Sequence, residues 1–249
     1  MKKLIKTNQK IINLESNKLF IALMEDTRPI IAEIGEDPYA IETPKGVILY
    51  EDQYYIQQVG FYLVHTINLC QQLNLAIEFL SNFDYSKKNN ASRADHLIYN
   101  VENYFIRLNS VKDRVLQLVN AVFHLCISEE HVNYSIITSN QKVKHRKLIN
   151  SKIKAIKKFL EKYAQARHTI IHKHSYQESG LRKIELFYLT GIDEDMGENF
   201  KTFRSNHLRN YITKQKQNFT QINEKLFMLL DELFEALSKE YERQKENLK

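Results

Sequence analysis

The stretch from Ser92 to Leu125, SRADHLIYNVENYFIRLNSVKDRVLQLVNAVFHL, decides the fold. Its residues Leu97, Val101, Tyr104, Leu108, Val111, Val115, Leu118, Val122 and Leu125 recur at steps of four and three without a miss. An α-helix brings positions three and four apart onto one face, so this rhythm predicts one long amphipathic helix. Ser92 and Asp95 stand in front of it with the S-x-x-D spacing of an N-terminal cap, and Asn109-Ser110 marks a place for a kink or restart.

Working outward, three more stripes share that period. One runs Ile56, Val59, Leu63, Ile67, Cys70, Leu73, Ile77 and Leu80; another Ile149, Ile153, Ile156, Leu160 and Tyr163; the last Phe219, Ile222, Leu226, Leu229, Leu233 and Ala236. Nothing between Gly60 and Gly180, or after Gly197, is a glycine or proline, so no residue there obliges a helix to end. The chain therefore reads as all-α, an antiparallel bundle of about four long helices. Residues 51–249 form this bundle domain. Residues 1–50, which hold all three prolines, form a small irregular or β-containing cover. Residues 176–200, with Leu186-Phe187-Tyr188-Leu189 between Gly180 and Gly191, read as a short strand or a second irregular cover.

Composition narrows the class. With 43% of residues hydrophobic and 27% charged, the chain can bury a core, which excludes disorder. Two cysteines, Cys70 and Cys126, cannot staple a secreted scaffold; both sit among apolar neighbours and read as buried free thiols in a reducing cytoplasm. The only early apolar run, Ile11, Ile12 and Leu14, is too short for a signal-peptide core. No run approaches the roughly 18 apolar residues of a membrane helix.

Charge is unevenly placed. From Gln141 to Lys173 there are eleven basic residues against the single acid Glu161, while the rest of the chain is slightly acidic. A basic helix on such a body is the footprint of a protein that attracts phosphates, which points to Lys154, Lys157, Lys158 and Lys162 as nucleic-acid contacts. The competing reading is a solvated helix face, or a face for an acidic protein.

The same segment ends in Arg167-His168-Thr169-Ile170-Ile171-His172-Lys173-His174. Extending the stripe 149, 153, 156, 160, 163 makes 167 the next inward position, where a guanidinium needs an acid, a subunit interface or a ligand to offset burial. His168 and His172, four apart, share one side of the helix, with Arg167 about 140° around from His172.

Arg167-His168-x-x-x-His172 resembles the R-x4-6-H signature of the HEPN superfamily (higher eukaryotes and prokaryotes nucleotide-binding), with a polar residue after the arginine. The similarity covers residues 51–175. The helix from Asn103 to Phe123, bearing Arg107, Lys112, Asp113 and Arg114, resembles the one that packs beside the family's motif. The resemblance implies metal-independent endoribonuclease activity, without a cofactor, at the interface of a homodimer. His172 would exchange the proton of a ribose 2′-hydroxyl or the leaving 5′-oxygen, since an imidazole titrates near neutral pH, and Arg167 would stabilise charge on the phosphate. The product would be a 2′,3′-cyclic phosphate. His168 would orient the phosphate or tune His172. Lys173, at the periphery with His174, and Tyr176, an aromatic just beyond the basic helix, complete the set as supporting residues. HEPN proteins similar to toxins and phage-defence effectors make an antitoxin or neighbouring-gene protein a further partner.

Three rivals stand beside this reading. A HEPN-like module can bind RNA, a nucleotide or a protein without cutting. His168 and His172 can share Zn²⁺ if the fold supplies a third ligand such as His131, His145 or His207. A purely structural bundle would satisfy Arg167 internally, with Asp113 or Glu102.

Overall fold

The computed structural model describes residues 13–34, 48–81, 92–176, 178–188 and 197–248, and every regular element among them is helical. In chain order these are α1 (Lys18–Ile34), α2 (Glu51–Phe79), α3 (Arg93–Val122), α4 (Tyr134–Ser139), α5 (Gln141–Lys144), α6 (Lys147–Glu161), α7 (Ala164–His172), α8 (Ser179–Phe187) and α9 (Glu198–Asn247).

The decisive stretch forms α3 as its spacing requires. Ser92 accepts from the Asp95 amide, and the Asp95 carboxylate accepts from the Ser92 amide in return, closing a capping box. Leu97, Val101, Tyr104, Leu108, Val111, Val115, Leu118 and Val122 are all buried. Leu125 falls beyond the helix, because the chain turns at His124 with a φ of 47°. The amides of His124 and Leu125 reach back to the carbonyls of Ala121 and Asn120, a Schellman closure with histidine where glycine is usual. The Asn120 side chain then holds both the amide and the carbonyl of Ile127. This turn carries Cys126, also left-handed at φ 57°, out to solvent, which corrects its reading as a buried thiol. Cys70 is buried, and burial pushes its thiol up to about 12.

Three of the four stripes lie in helices of 29, 30 and 50 residues: α2, α3 and α9. Contacts fix their directions. Tyr55 Oη donates to the Val122 carbonyl at 2.8 Å near one end of α2 and α3, and His96 Nε2 meets the Phe79 carbonyl at 2.9 Å near the other, so the pair is antiparallel. Asn74 contacts Asn223, while Tyr55 stacks on Tyr241, so α9 also runs against α2. Arg146 to Glu240 and Lys152 to Glu232 place α6 antiparallel to α9. The three long helices share a buried polar link: Tyr104 Oη donates to Asn223 Oδ1, and Asn223 Nδ2 donates to Asn74 Oδ1, each at 2.9 Å. The Tyr104 ring lies flat on Phe219 at 3.7 Å.

Two expectations change. Within residues 1–50, Lys18–Ile34 is a helix rather than an irregular or β-containing cover; Leu19, Leu23, Thr27 and Ile30 face inward, and Pro29 sits on the exposed side, where the backbone hydrogen bond its ring removes is not a buried one. The rest of the expected cover, residues 1–12 and 35–47, lies outside the described residues. Residues 179–187 form α8, not a strand. Gly180 there lies so close to Tyr211 that a Cβ would meet the ring at 2.9 Å.

Asn223→Ala should lower stability by about 1–3 kcal/mol, because Asn74 loses its partner and Tyr104 keeps only the longer 3.3 Å contact with the Phe219 carbonyl. Adding Tyr104→Phe should cost less than the sum of the two single changes, since the weakened hydroxyl goes with it. Urea unfolding with unchanged slope is the measurement.

Candidate functional site

The third stripe does not continue past Tyr163. α6 stops at Glu161, Lys162 and Tyr163 make a turn, and α7 begins at Ala164, with neither glycine nor proline at the break. Tertiary contacts make it. Tyr163, at φ −110° and ψ −2°, sets its ring against Phe159 and Phe105, with centroids 5.7 and 6.4 Å away. The Asn109 side-chain amide donates to the Tyr163 carbonyl at 3.3 Å and to the Phe105 carbonyl at 3.0 Å. The Arg167 amide donates to the same Tyr163 carbonyl, at a long 3.5 Å, so the carbonyl is shared between α7 and Asn109. Asn109 therefore acts on the neighbouring helix, while α3 continues through Asn109 and Ser110 without a restart.

The break resets the helical register. Ala166 and Ile170 now pack against the core, and Arg167 is exposed, which corrects its expected place on a covered face. It borders a cleft of about 120 Å³ between α3 and the α6–α7 corner, shared with Asn109, Lys112, Asp113 and Glu161. The neighbouring acids are engaged elsewhere. Asp113 lies 3.7 Å from Lys112, Glu161 pairs with Lys157 at 3.0 Å, and Glu102 accepts from the Tyr176 amide at 2.6 Å. Neither Asp113 nor Glu102 satisfies Arg167 as the structural reading requires.

His168 and His172 are both exposed, with ring centroids 5.0 Å apart. His172 is the last residue of α7, and the amides of Lys173 and His174 close the helix on the Thr169 carbonyl. Arg167 thus occupies the edge of α7 and the histidines its outer face, with Ile171, 44% exposed, at a position between them. Tyr176 is half-buried: its ring meets Phe105 at 5.0 Å and burial pushes its phenol up, so it ties the chain back to α3. Among the described residues, no group of three His, Cys, Asp or Glu side chains is placed to hold a metal ion, so His131, His145 and His207 do not join the motif histidines.

The basic segment divides into two sets. Arg146 pairs with Glu240, which is only 3% exposed; burial alone would raise that carboxyl, but hydrogen bonds from Arg243, Gln244 and Arg146 hold it below its ordinary value. Lys152 pairs with Glu232 at 2.5 Å. Lys157 is held by Glu161 and lies over the Tyr134 ring at 4.3 Å, which removes it from the free set. Lys154, Lys158 and Lys162 are exposed and make no ion pair among the described residues. Lys112 and Asp113 join the Arg167 cleft through a cross-helix proximity that no spacing along one chain segment reveals.

A family model described as HEPN_Cthe2314-like HEPN matches residues 56–239, a span from α2 into α9 that includes the whole of α7. Neither the curated proteins nor the solved structures give a significant match.

Asn109→Ala should leave the Tyr163 carbonyl with only the long Arg167 bond and cost about 1 kcal/mol. Hydrogen exchange should quicken chiefly across Ala164–His172, with α3 changing less. Peptide-resolved exchange by mass spectrometry distinguishes this from a uniform loss of protection.

Proposed function

The chain belongs to the HEPN superfamily, and we propose that it is a metal-independent endoribonuclease working as a homodimer. The observation that carries the reading is the α7 surface: one arginine and two histidines, all exposed on a nine-residue helix that ends the most basic segment of the chain. An imidazole and a guanidinium suit transesterification of a phosphodiester. The ribose 2′-oxygen attacks phosphorus, the 5′-oxygen leaves, and a 2′,3′-cyclic phosphate results. His172 takes the proton from the 2′-hydroxyl or returns one to the 5′-oxygen, and Arg167 bears on the phosphate oxygens as charge builds. His168, beside His172, orients the phosphate or tunes its neighbour, with Lys173 at the rim.

The same geometry supports a dimer. Arg167 and His172 diverge by about 140° around one helix, so a second α7 laid on the Ile171 edge is the direct way to bring an imidazole beside a guanidinium. It would also cover an exposed isoleucine. On this reading α2, α3, α6 and α9 are the four helices of the HEPN bundle. A cytoplasmic toxin or phage-defence effector restrained by an antitoxin or neighbouring-gene protein is the setting such an enzyme fits; no helix of the described residues is long and apolar enough to cross a membrane.

Purified protein should cleave RNA in EDTA and leave DNA, which lacks the 2′-hydroxyl, intact. His172→Ala should lower the rate about 10²- to 10⁴-fold with RNA affinity nearly kept, and Arg167→Ala should weaken both. Protein that shifts RNA on a gel and leaves it uncut, with both variants behaving alike, is a binding module instead. Light scattering should give a dimer at micromolar concentration, and a strict monomer would remove the composite site.

A further inference from the structure

A second basic feature lies away from the motif. Between the α4–α5 corner and α6 opens a cleft of about 370 Å³, with Lys144, Lys147 and Lys154 on its walls and Asn150 and Ser151 between them. Each of the three lysines is exposed, and none makes an ion pair among the described residues. Neighbouring cations are paired: Arg146 by Glu240, Lys152 by Glu232, Lys157 by Glu161 and the Tyr134 ring. The three lysines thus border one opening whose lining contains no acid, and their fields add there.

The cleft also continues into a line. On α6 the positions 147, 151, 154, 158 and 162 succeed one another at steps of three and four, so Lys147, Lys154, Lys158 and Lys162 share one face. From 147 to 162 the helix rise gives about 22 Å, and the line ends at the turn from which α7 and the motif start. Within residues 141–173 the single acid is Glu161, which is tied to Lys157.

We propose that this cleft is an anchoring site for the RNA backbone, remote from the reacting phosphate, and that the lysine face of α6 leads the strand from it toward α7. The site takes phosphate groups of a single strand without reading its bases. A flexible polyanion can follow a line of point charges about 22 Å long, whereas a folded acidic surface would need a matching shape, and the cleft itself admits only small groups. At about 3.4 Å per residue of a stacked strand, the line corresponds to six or seven nucleotides. The identity of the polymer rests on the endoribonuclease reading; the anchoring of a polyanion by these lysines does not.

The test uses the full chain carrying His172→Ala, to stop turnover, and fluorescein-labelled oligouridylates of four and sixteen nucleotides. Fluorescence anisotropy is followed from 50 to 200 mM salt. Reversing Lys144, Lys147 and Lys154 to Glu should weaken binding of the sixteen-mer by about 100-fold or more and lower its log–log salt slope by about two, three phosphate contacts at about 0.7 each. The advantage of the sixteen-mer over the four-mer should collapse. Changing the same lysines to Gln should give a smaller effect in the same direction, and the unchanged helical circular dichroism of that variant shows that folding is kept. Reversing Lys214, Lys225 and Lys239 on α9 alters net charge equally and should leave the sixteen-mer advantage in place. A triple variant whose sixteen-mer affinity moves less than twofold, or whose loss the α9 control matches, overturns the proposal. So does displacement of the sixteen-mer by poly-L-glutamate at equal charge, which would assign the cleft to an acidic protein. The same substitutions in the His172 background separate the two readings: wild-type protein that cuts RNA with the cleft lysines silent refutes the anchor alone, and uncut RNA that still depends on them refutes the nuclease alone.

Discussion

A small set of contacts at Tyr163 decides which way the motif faces. The Asn109 amide on α3 donates to the Tyr163 carbonyl, which the Arg167 amide also reaches at a long 3.5 Å, and Phe105 with Phe159 pins the Tyr163 ring. Without that interruption the stripe of α6 would run straight on, and Arg167 would be driven into the core, where a guanidinium is costly. With it, two small or apolar residues, Ala166 and Ile170, take the inward places and the charged ones turn out. Arg167 faces solvent where a helix stops against contacts from a different helix.

The same logic sorts the lysines. A run of eleven basic residues looks uniform when read along the chain, yet the folded protein spends Arg146 and Lys152 on α9 and Lys157 on Glu161. The Arg146 and Lys152 pairs hold α6 against α9; Arg146 joins Arg243 and Gln244 in offsetting the burial of the Glu240 carboxylate. What remains on the outer face is a smaller, directional set. Net charge alone cannot separate the two, because pairing is decided by which acids α9 happens to present opposite α6.

How much was legible in the sequence follows from the range of each interaction. α3 was readable nearly to the residue, since its spacing and its Ser92–Asp95 cap are local. The extent of α9 followed from the absence of any breaker after Gly197. α1 was hidden because Thr27 and Pro29 interrupt its pattern, and its inward face is completed only by contact with α2 and α9. The end of α3 was misplaced by three residues, since a histidine in the left-handed region does not announce itself as glycine would. At the site, the identity of Arg167, His168 and His172 was visible as a pattern. Their exposure was not, because it depends on Asn109, fifty-four positions upstream of Tyr163 and read there only as a flaw in its own helix.

That arrangement bears on how the site is ordered. A nine-residue helix is marginal by itself, as nucleation consumes most of what so few hydrogen bonds return. α7 buries no residue completely, and its hold on the body is Ala166, Ile170, the turn at Tyr163 and the return of the chain through Tyr176 and Glu102. Its outer face carries the motif side chains together with Ile171, so a partner that covers the isoleucine also packs on the helix. In the proposed dimer a second copy of the chain would do two things at once: bring a second arginine–histidine set beside the first and add packing to a helix that has little of its own. Geometry and stability would then be gained in the same binding step.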